Sequence, residues 1–229
     1  MPGRLVPLVT GEIYHVFNRG IDGRPTYSAK KGYDRARQLL LFYQFSGLSV
    51  RYSVFRLWDE GRQQEFFQKV RLHNESHVAI LAYCLMPNHF HLLVRQESHG
   101  GISKFLSNFQ NSYTRYFNTK NRRLGSLFMD QFKAVRIEDE DQLLHVSRYI
   151  HLNPFTSFVV KTLDELEEYP WSSLREYLGK DDVEICQKQV LMGYFKEKAG
   201  FRSFVLDYAD YQRRRVGISH LTFEEKHFS

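Results

Sequence analysis

Little in this chain points to secretion, a membrane or a cross-linked scaffold. Its 229 residues include only two cysteines, Cys84 and Cys186, and two distant thiols match neither a disulfide framework nor the paired spacing of a metal site. No stretch approaches the roughly 18 apolar residues that span a bilayer. The opening "MPGRLVPLVTGE" lacks the long apolar core of a secretory leader. Internal repeats and low-complexity linkers are missing as well. A reducing, cytoplasmic setting without membrane contact is therefore the expectation, with Cys84 a buried thiol in an apolar strand. Acidic residues run a deficit: 26 against 32 lysines and arginines gives a net charge of +6 and a pI near 9.2, which favours a polyanionic partner.

What is present is a globular core, since 42% of residues are hydrophobic and 15% aromatic. The charge is spread unevenly. Arg95 to Arg136 holds eight basic residues against Glu97 and Asp130, whereas Ile137 to Glu184 holds twelve acidic residues against four basic ones. On charge alone, both runs read as solvated faces.

"EIYHVFNRG" reads as a strand closed by Asn-Arg-Gly. "SAKKGYDRARQLLLFYQFSG" reads as a helix ending near Gly47. Residues 48–76 are ambiguous, with "RQQEFFQKVRLH" a candidate short helix. "HVAILAYCLM" is continuous enough for a strand buried on both faces. Pro87-Asn88 turns the chain, and "HFHLLVRQ" returns as the second arm of a hairpin. "GISKFLSNFQNSYTRYFNTKN" repeats apolar residues at helical spacing. A strand over Phe132–Ile137 follows, then the helix "EDEDQLLHVSRYIHLNP", which Pro154 is expected to stop. "YPWSSLREYLG" comes next, with Trp171 expected to pack on the core, then two helices within 183–212 and a mobile basic tail at Arg213–Arg215. The order strand, helix, two strands, helix, strand, helix predicts an α+β fold: a ferredoxin-like split-βαβ antiparallel sheet with one added helix and a helical C-terminal extension. The expected division is 1–160 for the sheet domain and 161–229 for the extension. Such a fold hosts many functions and decides none.

On a strand, His89 and His91 point the same way and Phe90 points opposite. Two imidazoles on one face can share a metal if a third ligand arrives from elsewhere; taken alone, they are equally two satisfied histidines. On the last helix, Tyr149 and Asn153 lie i, i+4 on one face, a phenol beside a carboxamide oxygen. They too have a plain alternative, a packing residue and a helix cap. His145 shares that face.

The stretches "YHVFNRG", "AYCLMPNHFHLLV", "GISKFLSNFQNSYTRYFN", "GSLFMDQFKAV" and "SRYIHLNP" together resemble the HUH single-tyrosine transposases, and among them the REP-associated tyrosine transposases. The match covers most of residues 12–155. The resemblance implies cutting and rejoining of single-stranded DNA beside a hairpin, with magnesium or manganese as cofactor. It makes Tyr149 the catalytic nucleophile, forming a 5′-phosphotyrosine, and His89, His91 and Asn153 the metal ligands. Many relatives have Gln where Asn153 stands, so here the ligand is one methylene shorter. Tyr113 and Tyr116 are rival nucleophiles placed on an apolar helical stripe. Arg19 after the first strand, and Arg115, Lys120, Arg122, Arg123 and Lys133 with Phe117 and Phe128 interleaved, are the expected DNA contacts through phosphate neutralisation and stacking. Two other readings stay open: a domesticated protein that binds hairpins without cutting, and a metallohydrolase that uses the histidines with water. The sequence leaves monomer and homodimer undecided.

Overall fold

A computed structural model describes residues 7–73 and 75–218 of the protein, with side chains as far as Arg213. The first six residues of the N-terminal stretch, and Arg214 and Arg215 as side chains, lie outside that description. Four antiparallel strands form one open sheet in the order β2-β3-β1-β4: β1 (Ile13–Arg19), β2 (Val78–Leu85), β3 (His89–Gln96) and β4 (Lys133–Arg136). This is the split-βαβ order expected from the sequence. All eight residues of β2 are buried, as a continuous apolar run requires.

Register decides the faces. Val16 pairs with Leu92 and Asn18 with Phe90, whereas Phe17 pairs with His91 and Arg19 with His89. The Phe90 side of the sheet is covered by α1 (Lys30–Tyr43) and α4 (Gly101–Lys120). In α4, Ile102, Phe105, Leu106, Phe109 and Tyr113 are buried at the spacing of one helical stripe, and Phe109 meets Phe90 edge-on at 5.4 Å. The ambiguous 48–76 region resolves into two helices, α2 (Tyr52–Phe55) and α3 (Glu60–His73).

The histidine side is covered by α5 (Glu140–Thr156). Its N-terminus is fixed by Asp139, whose carboxylate accepts from the Gln142 amide at 2.7 Å, with Glu140 and Asp141 complementing the dipole. Pro154 does not stop this helix, which runs on to Thr156. A proline near a C-terminus removes a single hydrogen bond, and its own carbonyl is satisfied by Val159 and Val160 amides at 2.9 and 3.0 Å.

The C-terminal segment adds α6 (Leu163–Glu167), α7 (Leu174–Leu178), α8 (Gln189–Met192), α9 (Lys198–Leu206) and α10 (Ala209–Ile218). Between α6 and α7, Trp171 to Ser173 runs along the outer edge of β2. The Leu85 amide donates to Trp171 O and the Ser173 amide to Tyr83 O, both at 2.9 Å. This pairing closes an edge that would otherwise invite association. Trp171 itself stacks on Tyr33 at 4.6 Å, the core role expected for it. Arg213 is helical rather than a mobile tail: its guanidinium lies over Phe155 and Phe158 at 4.1 and 4.4 Å and donates to Lys161 O. Among the described residues no helix is long and apolar enough to cross a membrane.

Candidate active site

Strand alternation puts His15, Phe17 and Arg19 of β1 and His89, His91 and Leu93 of β3 on the face that α5 covers. The His15 Nε2 and His91 Nδ1 atoms lie 3.0 Å apart in a buried hydrogen bond. Both residues are nearly inaccessible, at 4% and 1% exposure. His89 stands almost perpendicular to His91, with ring centroids 5.0 Å apart. Its Nδ1 lies 2.7 Å from Asn88 Oδ1. An amide oxygen only accepts, so the neutral His89 ring carries its proton on Nδ1 and keeps a lone pair on the buried Nε2. His91 has the same option. With Nδ1–H donated to His15, the ring's lone pair is on Nε2, and His15 holds its proton on Nδ1. Each member of the pair thus has one nitrogen anchored, the arrangement that orients metal-ligating histidines.

Tyr149 enters from α5. Its ring lies edge-on to His91 at 5.3 Å and to His15 at 5.9 Å. The structure therefore brings the phenol and the histidines together from separate elements. Asn153, one turn on, is 2% exposed; its Oδ1 accepts a long 3.5 Å bond from Ser157 Oγ. His145, one turn back, is exposed. Among the described residues no group of three or more His, Cys, Asp or Glu side chains is placed to hold a metal ion. Any cation here therefore rests on imidazole and neutral oxygen donors.

The six expected DNA contacts separate. Arg19 is the register partner of His89, and Lys133 that of Phe17, so both stand on the histidine face. Beside Lys133 a groove of about 360 Å³ opens between Ile21 and Met129. Arg115 and Lys120 lie on α4, against the opposite side of the sheet. Arg122 and Arg123 lie in the loop after α4; Arg123 is spent holding that loop, donating to Asn118 Oδ1 at 3.0 Å and Ser126 O at 2.7 Å. Of the interleaved aromatics, Phe128 is no stacking platform. Phe128 is 4% exposed among Tyr27, Phe90 and Tyr113, and Phe117 packs on the core. Gly20 of "NRG" has an ordinary φ of −62°. Its need is space, since a Cβ there would lie 2.5 Å from Thr26 Oγ1 and 2.7 Å from Arg24 O.

The rival tyrosines fall away. Tyr113 is 1% exposed and donates to Thr26 O at 2.9 Å; burial, then the neighbouring Tyr116 and Tyr33 phenols, push its ionisation well above the usual tyrosine value. Tyr116 lies under the Arg35 guanidinium on the side away from the histidines. His15 is the residue sequence reasoning missed. Its signal was a polar residue inside "IYHVFNR", in phase with Arg19 on a strand otherwise buried.

Residues 47–153 match the family model for IS200-like transposases. That span contains both histidines of β3, Tyr149 and Asn153; β1 with His15 precedes it. The resemblance drawn from the sequence is thereby supported. Among solved structures, the chain is similar to one described as the REP-associated tyrosine transposase bound to a REP hairpin. The TM-score is 0.53 at 15% identity, covering 81% of this chain and 90% of that one, a likeness of fold. No curated protein matches the chain.

Proposed function

We propose that this protein cuts and rejoins single-stranded DNA next to a hairpin, with Tyr149 as the nucleophile. One observation carries the reading: a phenol from α5 lies edge-on to the His15–His91 pair, on the sheet face that also holds His89, Arg19 and Lys133. The family match and the hairpin-bound fold neighbour support the substrate class.

Tyr149 Oη attacks the scissile phosphorus in line. A bond forms between Oη and phosphorus, the bond from phosphorus to the 3′-oxygen breaks, and the 3′-oxygen leaves as a hydroxyl after gaining a proton. The phenol gives its proton to solvent in the same step, against an ordinary pKa of about 10. The 5′-phosphotyrosine conserves the phosphodiester energy, so another 3′-hydroxyl reverses the step and joins a new strand. Arg19 and Lys133 hold flanking phosphates by charge and hydrogen bonding. His15 fixes the His91 ring, and Asn88 fixes His89. Magnesium or manganese would be held by His89, His91 and Asn153 and supplies charge stabilisation at a phosphate oxygen. Two imidazoles alone would favour zinc or copper, so the choice of metal rests on the family resemblance. The catalytic unit is assigned to residues 1–160, with 161–229 as its helical extension.

The test is a denaturing gel of the protein incubated with a hairpin oligonucleotide bearing single-stranded flanks and magnesium or manganese. The expected result is a protein–DNA adduct that Tyr149→Phe abolishes. An adduct at wild-type level in Tyr149→Phe would contradict the assignment. Hairpin binding without any cleavage would favour a pure binding protein. Cleavage to a free 5′-phosphate that survives Tyr149→Phe would favour hydrolysis by water.

A further inference from the structure

Apolar packing alone does not fix where the Tyr149 phenol stands. Leu143, Ile150, Leu152 and Phe155 bury α5 against its neighbours, but hydrophobic contact is non-directional and tolerates small rotations about the helix axis. A hydrogen bond tolerates them poorly, because it weakens steeply off line. The side of α5 turned away from the site carries one. Two residues apart, Tyr149 and His151 stand about 200° from each other round the helix. The phenol meets His91 and His15, whereas the His151 imidazole meets the C-terminal helices.

His151 is fully buried. Tyr177 of α7 and Phe201 of α9 hold its ring edge-on at 5.4 and 5.6 Å. Its Nε2 lies 2.8 Å from Ser173 Oγ. The Tyr83 amide of β2 donates to that same oxygen at 2.9 Å, and the Ser173 amide donates to Tyr83 O at 2.9 Å. A single hydroxyl thus joins α5 to β2. One residue along, Cys84 bridges Ser172 on one side and pairs with His91 on the other. The anchor of α5 is therefore tied to the row of the sheet that carries His91. A phenol reaches further from the helix axis than an imidazole, so a small turn at the anchor grows at Tyr149 Oη.

We propose that Ser173 and His151 are positioning residues for Tyr149: their hydrogen bond, behind α5, sets the rotation of the helix and with it the place of the phenol against His91. The inference rests on the tyrosine reading above and gives the C-terminal extension a part in the chemistry. Both side chains are fully buried, so they act on the reaction through α5 and not by touching DNA.

The experiment is fluorine NMR of the full chain labelled with 3-fluorotyrosine, together with single-turnover adduct formation on a hairpin oligonucleotide. Among the 14 tyrosines, the resonance lost in Tyr149→Phe reports the phenol. His151→Phe keeps a buried ring and removes the hydrogen bond. It is expected to shift that resonance, since the ring currents of His91 and His15 depend on where the phenol stands. It should also slow adduct formation by up to about 100-fold, as a misplacement near 1 Å can, with hairpin affinity unchanged. Ser173→Ala should behave alike. His151→Gln, whose amide stands where Nε2 stood, should bring resonance and rate back toward wild type. Lost stability alone would leave the resonance of the folded protein in place and would give no rescue by Gln. An unmoved Tyr149 resonance, or an unslowed adduct, in both His151→Phe and Ser173→Ala would overturn the inference. The resonance needs no cleavage: a wild type that forms no adduct defeats the tyrosine reading alone, and the shift still decides whether the anchor places the phenol.

Discussion

The buried hydrogen bond between His91 Nδ1 and His15 Nε2 holds the His91 ring in place. In the tautomer that gives Nδ1–H to His15, the His91 lone pair is on Nε2. His15→Ala removes that acceptor, and loss of such a support typically weakens metal binding about 10–100-fold. We expect manganese affinity, measured by calorimetry, to fall by that order in His15→Ala, and to recover in part in His15→Gln, whose amide oxygen can accept the same proton. Equal affinity in all three proteins would remove His15 from the site. The histidine pair and Tyr149 were legible because period two and period 3.6 state which residues share a face. His15 was not, because one histidine in a strand has no partner until the register puts His91 beside it. The basic residues were legible as charge and illegible as place: Lys133 and Lys120 look alike in sequence and stand on opposite sides of the sheet. Phe128 was misread for a similar reason, since its burial among Tyr27, Phe90 and Tyr113 comes from contacts distant in the chain.

At the scale of elements, α5 is held to the sheet through the strip that closes the β2 edge. Ser173 Oγ accepts from the Tyr83 amide at 2.9 Å and meets His151 Nε2 at 2.8 Å. His151 is fully buried, and burial pushes its ring down to about 3, so it stays neutral at this contact. Ser173→Ala strands a buried amide and a buried ring nitrogen. The expected loss is about 1–3 kcal/mol in denaturant unfolding; an unchanged midpoint would show that the strip does not anchor α5. Most elements were visible in the sequence because their apolar residues recur at one clear period. The 48–76 region was not, since α2 is a single turn and α3 buries only Val70, too little to imprint a period. Pro154 misled because a proline here costs one bond to the Ile150 carbonyl and crowds it without breaking the turn, so the helix runs two residues further.

Across the whole molecule, the sheet separates a face bearing histidines and a phenol from a face covered by α1 and α4, and the C-terminal helices brace the first. Part of that brace is Glu167, which takes Lys180 Nζ at 3.0 Å and Arg202 Nε at 2.7 Å. Burial pushes its carboxyl up, but the two cations outweigh burial and hold it below the usual carboxylate range. A carboxyl whose folded pKa is lowered adds stability above its unfolded pKa of about 4.5 and loses it as pH falls through the folded value. Between pH 6 and 3 the melting temperature of wild type should therefore fall more steeply than that of Glu167→Gln; parallel curves would contradict the pairing. The fold class was readable because the order of elements admits few sheets. Which side does what was not, since sidedness follows from register and from where α5 lands. The central claim concerns one oxygen atom, and peptide mapping of the protein–DNA adduct reads it directly. After protease and nuclease digestion, mass spectrometry should place the residual nucleotide on the peptide carrying Tyr149. A nucleotide on Tyr113, Tyr116 or any other residue would contradict the account.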